Sequence, residues 1–436
     1  VGVFQVRAAA IGFSVLLAGA GLTATGAPAY AATTGKAAVT AAGKVKFVAG
    51  SKRTNSLRVT YAKGRLTLDD RVTITPGKGC SRVKRDSTRV TCKIGSRPAT
   101  PALVAYLGDG NDRITVDAAV AVEARGGVGN DTLIGSASRA DRLHGEAGND
   151  TISGRGGADT LAGGPGADVL SGGDARDVLD GGTGNDRLTG DNGDDALTGG
   201  DAHDRLDGGS GHDTLSGGDG NDRLDGGSGD DKLRGGAGND TLDGNTGSDV
   251  VAGDAGNDVV DGGPLHDDLF GGAGTDTLDY SDRTGDVELQ LDGSRTRWTD
   301  GETGKESDRL AADFEIVLTG PGNDHIIGGR SVTLVRSGAG DDEVTCDISC
   351  TTYAGAGNDR VFNSGAGVTT WGGPGNDRIY GTGGDDTLYG EDGNDILYGH
   401  QGVDRLYGAA GDDTLYGWDG DDLLDGGEGD NTLVRS

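Results

Sequence analysis

The sequence predicts an all-β protein: a right-handed parallel β-solenoid built of nine-residue repeats, two to a coil, with a small β cap at its N-terminal end. Three observations predict it. Aspartate recurs every nine residues without a slip, at Asp141, Asp150, Asp159, Asp168, Asp177, Asp186, Asp195, Asp204, Asp213, Asp222, Asp231, Asp240, Asp249, Asp258, Asp267 and Asp276. Two residues after each stands Leu, Ile or Val, as in Leu143, Ile152, Leu161 and Val260. The 436 residues include 87 glycines but only 4% aromatic and 33% hydrophobic residues, too few large side chains to fill a conventional globule.

The unit reads G-G-x-G-x-D-x-U-x, with U aliphatic. Three residues, x-U-x, are enough for a short strand that turns U inward and its neighbours outward. The other six reverse the chain, with glycines tolerating positive φ and leaving backbone carbonyls free to face a cation. Two units make a coil of 18 residues. Aspartates such as Asp204 and Asp222 then stack about 4.8 Å apart along one edge, and Asp213 and Asp231 along the other. An ion between successive turns would gather carboxylate and carbonyl oxygens from both.

Earlier copies stand at Asp112 with Ile114 and Asp131 with Leu133. A second run comprises Asp377, Asp386, Asp395, Asp404, Asp413 and Asp422 and closes on Asn431. Between the runs, Asp324, Asp342, Asp359 and Asp377 keep spacings of 18, 17 and 18 while the intervening turns lose their aspartates. One edge there is expected to be poor in cations, with a disulfide taking the ion's place locally.

In these motifs the chain resembles the RTX family of hemolysin-type nonapeptide repeats, over roughly residues 108–278 and 320–436. The resemblance implies a parallel β-roll that binds Ca²⁺ in its glycine-rich turns, and carries the ligand role onto the sixth-position aspartates named above. Ala175, Ala202 and Leu265 depart from it by replacing the fourth-position glycine, and weaker binding is expected there. One aliphatic side chain per nine ordered residues is a thin core, and carboxylates at coil spacing repel one another. Calcium binding is therefore expected to supply folding free energy, leaving an expanded, disordered array without it.

Charge narrows the function classes. The formal net charge is −31, from 61 Asp and 9 Glu against 39 Lys and Arg, which argues against nucleic acid as a partner. Residues 32–107 nevertheless carry 16 Lys or Arg against three Asp. Their alternating segments KVKFV, LRVTY, RLTL and RVTIT predict the β cap. Contact with anionic cell-envelope polymers and a plainly solvated charged face both fit this basic head.

Arg7, the apolar run Ala8 to Leu22 and Ala29-Tyr30-Ala31 read as a signal peptide over 1–31, which directs the chain to the extracellular space. A retained anchor is the alternative, but the run is shorter than the roughly 20 residues that span a bilayer. No membrane span is expected in the mature chain. Proximity pairs Cys80 with Cys92 and Cys346 with Cys350, although four cysteines permit three connectivities. Residues 279–319 interrupt the beat, with DVELQL and FEIVL as strands around Trp298, and read as a bulge in a continuous solenoid.

Tyr380, Tyr389, Tyr398, Tyr407 and Tyr416 follow U every nine residues and are expected to stack on both outer faces. They either stiffen the solenoid or offer a strip for glycans or a protein. Neither H-E-x-x-H nor G-x-S-x-G occurs, so no enzyme is expected. His203 and His212 fall in the fifth, turn position of the unit.

Overall fold

The computed structural model describes residues 34–50, 52–94, 100–291 and 308–435; the expected signal peptide and Trp298 lie outside them. From Arg113 to Tyr280, successive strands alternate between two stacked parallel sheets. Register follows the 18-residue coil: Leu161 pairs with Leu179, Leu188 with Leu206, and Leu206 with Leu224. Every inward U residue from Leu133 to Leu278 is at most 2% exposed. The core is thus a double file of aliphatic side chains, one from each sheet per coil.

Some strands span only the three residues expected, such as Thr241–Asp243, but from Arg142–Ala147 to Lys232–Ala237 every strand has six. A typical one, Thr160–Pro165, takes in x-U-x and the first three residues of the next unit, leaving three for the turn. The second-position glycine bends this strand through positive φ, +109° at Gly164, yet its neighbours still pair with the next coil, Gly164 with Gly182 and Pro165 with Thr183. Backbone pairing on both sides of the bend accounts for the extra length, because it satisfies amides that would otherwise be buried without partners.

One long sheet runs the length of the molecule. Its neighbours lie in a single line from Cys80–Arg82 through the cap and both arrays to Leu423–Asp425. Two shorter sheets face it in succession. The first has 14 strands and ends on Arg309–Leu310, paired with Asp268–Ala273; the second has eight and begins on Glu288–Gln290, paired with His325–Gly328. The interruption is where the two facing sheets change over while the long sheet continues, with Thr277–Tyr280 paired to Ile316–Thr319. The strands expected in DVELQL and FEIVL both form.

The N-terminal end differs in kind. Strands Ser56–Ala62, Arg65–Asp69 and Arg89–Lys93 pair antiparallel, and Ser56–Ala62 also pairs parallel to Arg113–Val116, joining cap to solenoid. Phe47, Leu57, Leu66, Leu68 and Ile74 give the cap a core with large side chains. Disulfides join Cys80 to Cys92 and Cys346 to Cys350, the pairing that proximity suggested. No helix among the described residues is long and apolar enough to cross a membrane.

Candidate metal centre

The sixth-position aspartates turn inward at the two edges of the solenoid. Within the arrays, each accepts a hydrogen bond at Oδ1 from the backbone N–H of the residue in the same position one coil earlier, which in the regular coils is itself an aspartate. Asp141 N donates to Asp159 Oδ1 (2.7 Å), Asp150 to Asp168 (2.6 Å), Asp204 to Asp222 (2.8 Å) and Asp395 to Asp413 (2.9 Å). Coil periodicity lines them up as two ladders. Aspartates 18 apart meet, whereas those nine apart sit on opposite edges.

The other carboxylate oxygen defines the site. At Asp150, Asp168, Asp186, Asp204, Asp222, Asp240 and Asp258 on one edge, and at Asp159, Asp177, Asp195, Asp213, Asp231 and Asp249 on the other, Oδ2 is buried and accepts no hydrogen bond. It lies under the first-position glycine of its own turn. A Cβ built on Gly217 would be 2.3 Å from Asp222 Oδ2 and 2.6 Å from the Gly235 carbonyl oxygen; on Gly145 the distances are 2.1 Å to Asp150 Oδ2 and 2.8 Å to the Gly163 oxygen. A carboxylate and a carbonyl from the next coil therefore converge with no donor between them. Such an arrangement calls for a cation.

Its chemistry suits a hard one. The donors are all oxygens, and among the described residues no three His, Cys, Asp or Glu side chains gather at one point, so backbone carbonyls must complete any coordination shell. Sixth-position aspartates and first-position carbonyls would hold calcium, which when bound supplies the positive charge these edges lack. Without it, burial drives the carboxyls well above their ordinary range: to about 7 at Asp159, Asp195, Asp204 and Asp240, and about 8 at Asp231. The donated N–H opposes this rise, and the aspartates one coil away add to it by charge repulsion.

The ends and the interruption vary. Asp112 accepts at Oδ1 from the Asn55 backbone (2.6 Å), which starts one ladder inside the cap, and Asp131 accepts from Asp112 N (2.7 Å). Asp141 Oδ2 already has a donor, the Ser136 backbone at 2.6 Å. Asp267 N donates to Asp308 (2.8 Å) and Asp276 N to Glu315 (2.8 Å), so the ladders cross the interruption on residues outside the nine-residue beat. Both were legible as Asp308-Arg309-Leu310 and Glu315-Ile316-Val317, which keep the acid-x-aliphatic pattern. Asp324 accepts from Val287 N (2.8 Å), Asp342 from Asp324 N (2.7 Å), Asp359 from Asp342 N (2.8 Å) and Asp377 from Asp359 N (2.8 Å). Asp386 accepts from Val368 N, Asp404 from Asp386 N and half-buried Asp422 from Asp404 N, all at 2.9 Å.

A second ladder went unread in the sequence. Fifth-position side chains accept from the backbone N–H one coil later, as Asn239 does from Asn257 N (2.8 Å) and Asn221 from Asn239 N (2.9 Å). His203 and His212 belong to it, accepting at Nδ1 from Asn221 N (2.7 Å) and Asp230 N (2.8 Å).

Ala175, Ala202 and Leu265 keep the turn but occupy left-handed backbone, with φ of 79°, 83° and 100°. A branched side chain at such a φ is strained by about 1–3 kcal/mol. Leu265→Gly should therefore raise the melting temperature of the calcium-loaded protein, as read by thermal circular dichroism; an unchanged or lower value would show that Leu265 is not strained.

No curated protein matches the chain. The model of the RTX calcium-binding nonapeptide repeat (four copies) matches residues 124–139, 137–170, 171–206, 198–233, 207–242, 234–269, 243–278, 312–344, 371–406 and 398–433. Together these matches cover more than half of the chain and coincide with the inward-turned aspartate ladders. The protein belongs to the RTX calcium-binding nonapeptide repeat family, as a right-handed parallel β-solenoid whose repeats are a structural, non-catalytic module.

Proposed function

We propose that this is an exported protein whose β-roll folds on calcium held between its glycine-rich turns and then serves as a rigid structural element at the cell surface or in the extracellular matrix. The observation that carries this reading is the row of buried Oδ2 atoms from Asp150 to Asp258, each facing a carbonyl with no donor between them. Calcium serves cohesion here: it ties coil to coil where the aliphatic double file is thin. Sites of this kind in extracellular modules bind at about 10⁻⁴ to 10⁻³ M, so the array would harden on leaving the cell. Calorimetric titration of the exported chain with CaCl₂ should show many sites per molecule; absence of binding at millimolar calcium defeats the reading.

The outer aromatic rows support a stiffening role over a sugar platform. Phe362, Tyr380, Tyr398 and Tyr416 stack with centroids 4.6–5.0 Å apart and planes within 8°. Tyr353, Trp371, Tyr389 and Tyr407 stack likewise on the long sheet at 4.4–5.3 Å, with planes within 10°. Rings that cover one another's faces leave mainly edges and hydroxyls for a glycan. Tyr398→Ser removes two such contacts and should destabilise the C-terminal array by about 1–3 kcal/mol in a calcium-saturated urea melt. No loss of stability would return the row to the glycan or protein contact reading.

A further inference from the structure

We propose that the coils between Glu315 and Asn376 hold no calcium: hydroxyl donors, a disulfide and valines stand there in the ion's place, so two calcium arrays flank a segment that stays folded without metal. The inference rests on the calcium reading above. Along the edge that keeps its aspartates, the first-position glycine is replaced by Thr319, Ser337 and Ala354. Thr319 Oγ1 donates to the Ser337 carbonyl and Ser337 Oγ to the Ala354 carbonyl, both at 2.9 Å and both buried. In the regular turns that next-coil, first-position carbonyl is the one facing the aspartate, as Gly235 does at Gly217. At Thr319 and Ser337 that carbonyl accepts a side-chain hydroxyl, and at all three turns a real Cβ fills the space. The Oδ2 atoms of Asp324, Asp342 and Asp359 are buried as elsewhere, so the carboxyl alone does not distinguish these turns; the facing group does. Glycine returns at Gly372, where a Cβ would lie 2.2 Å from Asp377 Oδ2 and 2.9 Å from the Gly390 oxygen.

Past Glu315, which continues the ladder of the first array, the opposite edge carries no carboxylate. Its next sixth positions are Thr333, Cys350 and Val368. The Cys346–Cys350 disulfide links the first and sixth positions of one turn, and Val332 and Val368 are buried in the turns on either side. Between the edges the aliphatic position is taken twice by threonine, Thr352 and Thr370, and buried Asn363 donates to Thr370 Oγ1 (2.7 Å). Donor–acceptor pairs and a covalent bond thus replace the cation-dependent contacts of the arrays.

Hydrogen exchange on the full chain, in millimolar calcium and in EDTA, tests this. Peptides within 315–376 should keep their protection in EDTA, while those within 141–278 and 377–435 exchange at least about tenfold faster. In a Thr319→Gly/Ser337→Gly double variant the central peptides should become calcium-dependent. Central peptides that open together with the arrays in the parent chain overturn the inference and leave the calcium reading standing, as does a double variant still protected in EDTA. Failure of EDTA to change any peptide defeats the calcium reading itself.

Discussion

Stripping calcium at pH 7.5 should abolish most of the β-sheet circular dichroism of the full chain, and acidifying the stripped protein to pH 4 should restore much of it. The expectation follows from the two buried carboxylate ladders. In the fold without metal burial raises Asp186 to about 6, Asp159 to about 7 and Asp231 to about 8, against 3.8 for a free aspartate, and pushes Asp168, Asp213 and Asp222 in the same direction. A carboxyl whose folded value is raised favours the fold only while protonated. Its stabilising effect is complete below about 4 and is lost as pH climbs through 6 to 8. Protons and calcium do the same job, placing positive charge between an Oδ2 and a carbonyl, and calcium does it at neutral pH. The midpoint calcium concentration for folding should accordingly change with pH across that window. A stripped protein equally folded at pH 7.5 and pH 4 would show that the ladders do not govern folding.

Gly217→Val should delete one inter-coil site and weaken the first array by about 2–4 kcal/mol. The new Cβ would enter 2.3 Å from Asp222 Oδ2 and 2.6 Å from the Gly235 oxygen, so the turn must open or lose its ligands. Neighbouring coils contact only each other, which localises the damage: hydrogen exchange should rise around residues 208–235 and fade outward. Gly383→Ala is the matched control, because a Cβ there meets nothing within 4 Å. Equal calcium stoichiometry and stability in Gly217→Val and the parent would remove the first-position glycine from the site.

Much of this was open to sequence reasoning because the fold repeats. Asp204 and Asp222 could be placed on one edge and Leu206 in the core by counting alone, and both positions hold in the structure. The Tyr380–Tyr398–Tyr416 row followed from the same arithmetic. Counting fails where the period breaks: Asp308 and Glu315 keep the acid-x-aliphatic pattern but lie off the beat, and their pairing to Asp267 and Asp276 places them on the ladders. It also misses contacts between main chain and side chain. Nothing in the spacing of His203 and Asn221 says that one accepts from the other's amide.

By itself the sequence determined the coil: a nine-residue period with an inward aliphatic residue admits two strands per turn, because strand alternation and the glycine reversal leave little other geometry. Tertiary structure alone decided which atoms meet between coils. The closeness of Asp222 Oδ2 to the Gly235 carbonyl, and the replacement of that meeting by the Ser337 hydroxyl further along, depend on parallel register between residues 17 or 18 apart. A hydrogen bond or a cation site is set by fractions of an ångström, which a repeat count does not resolve.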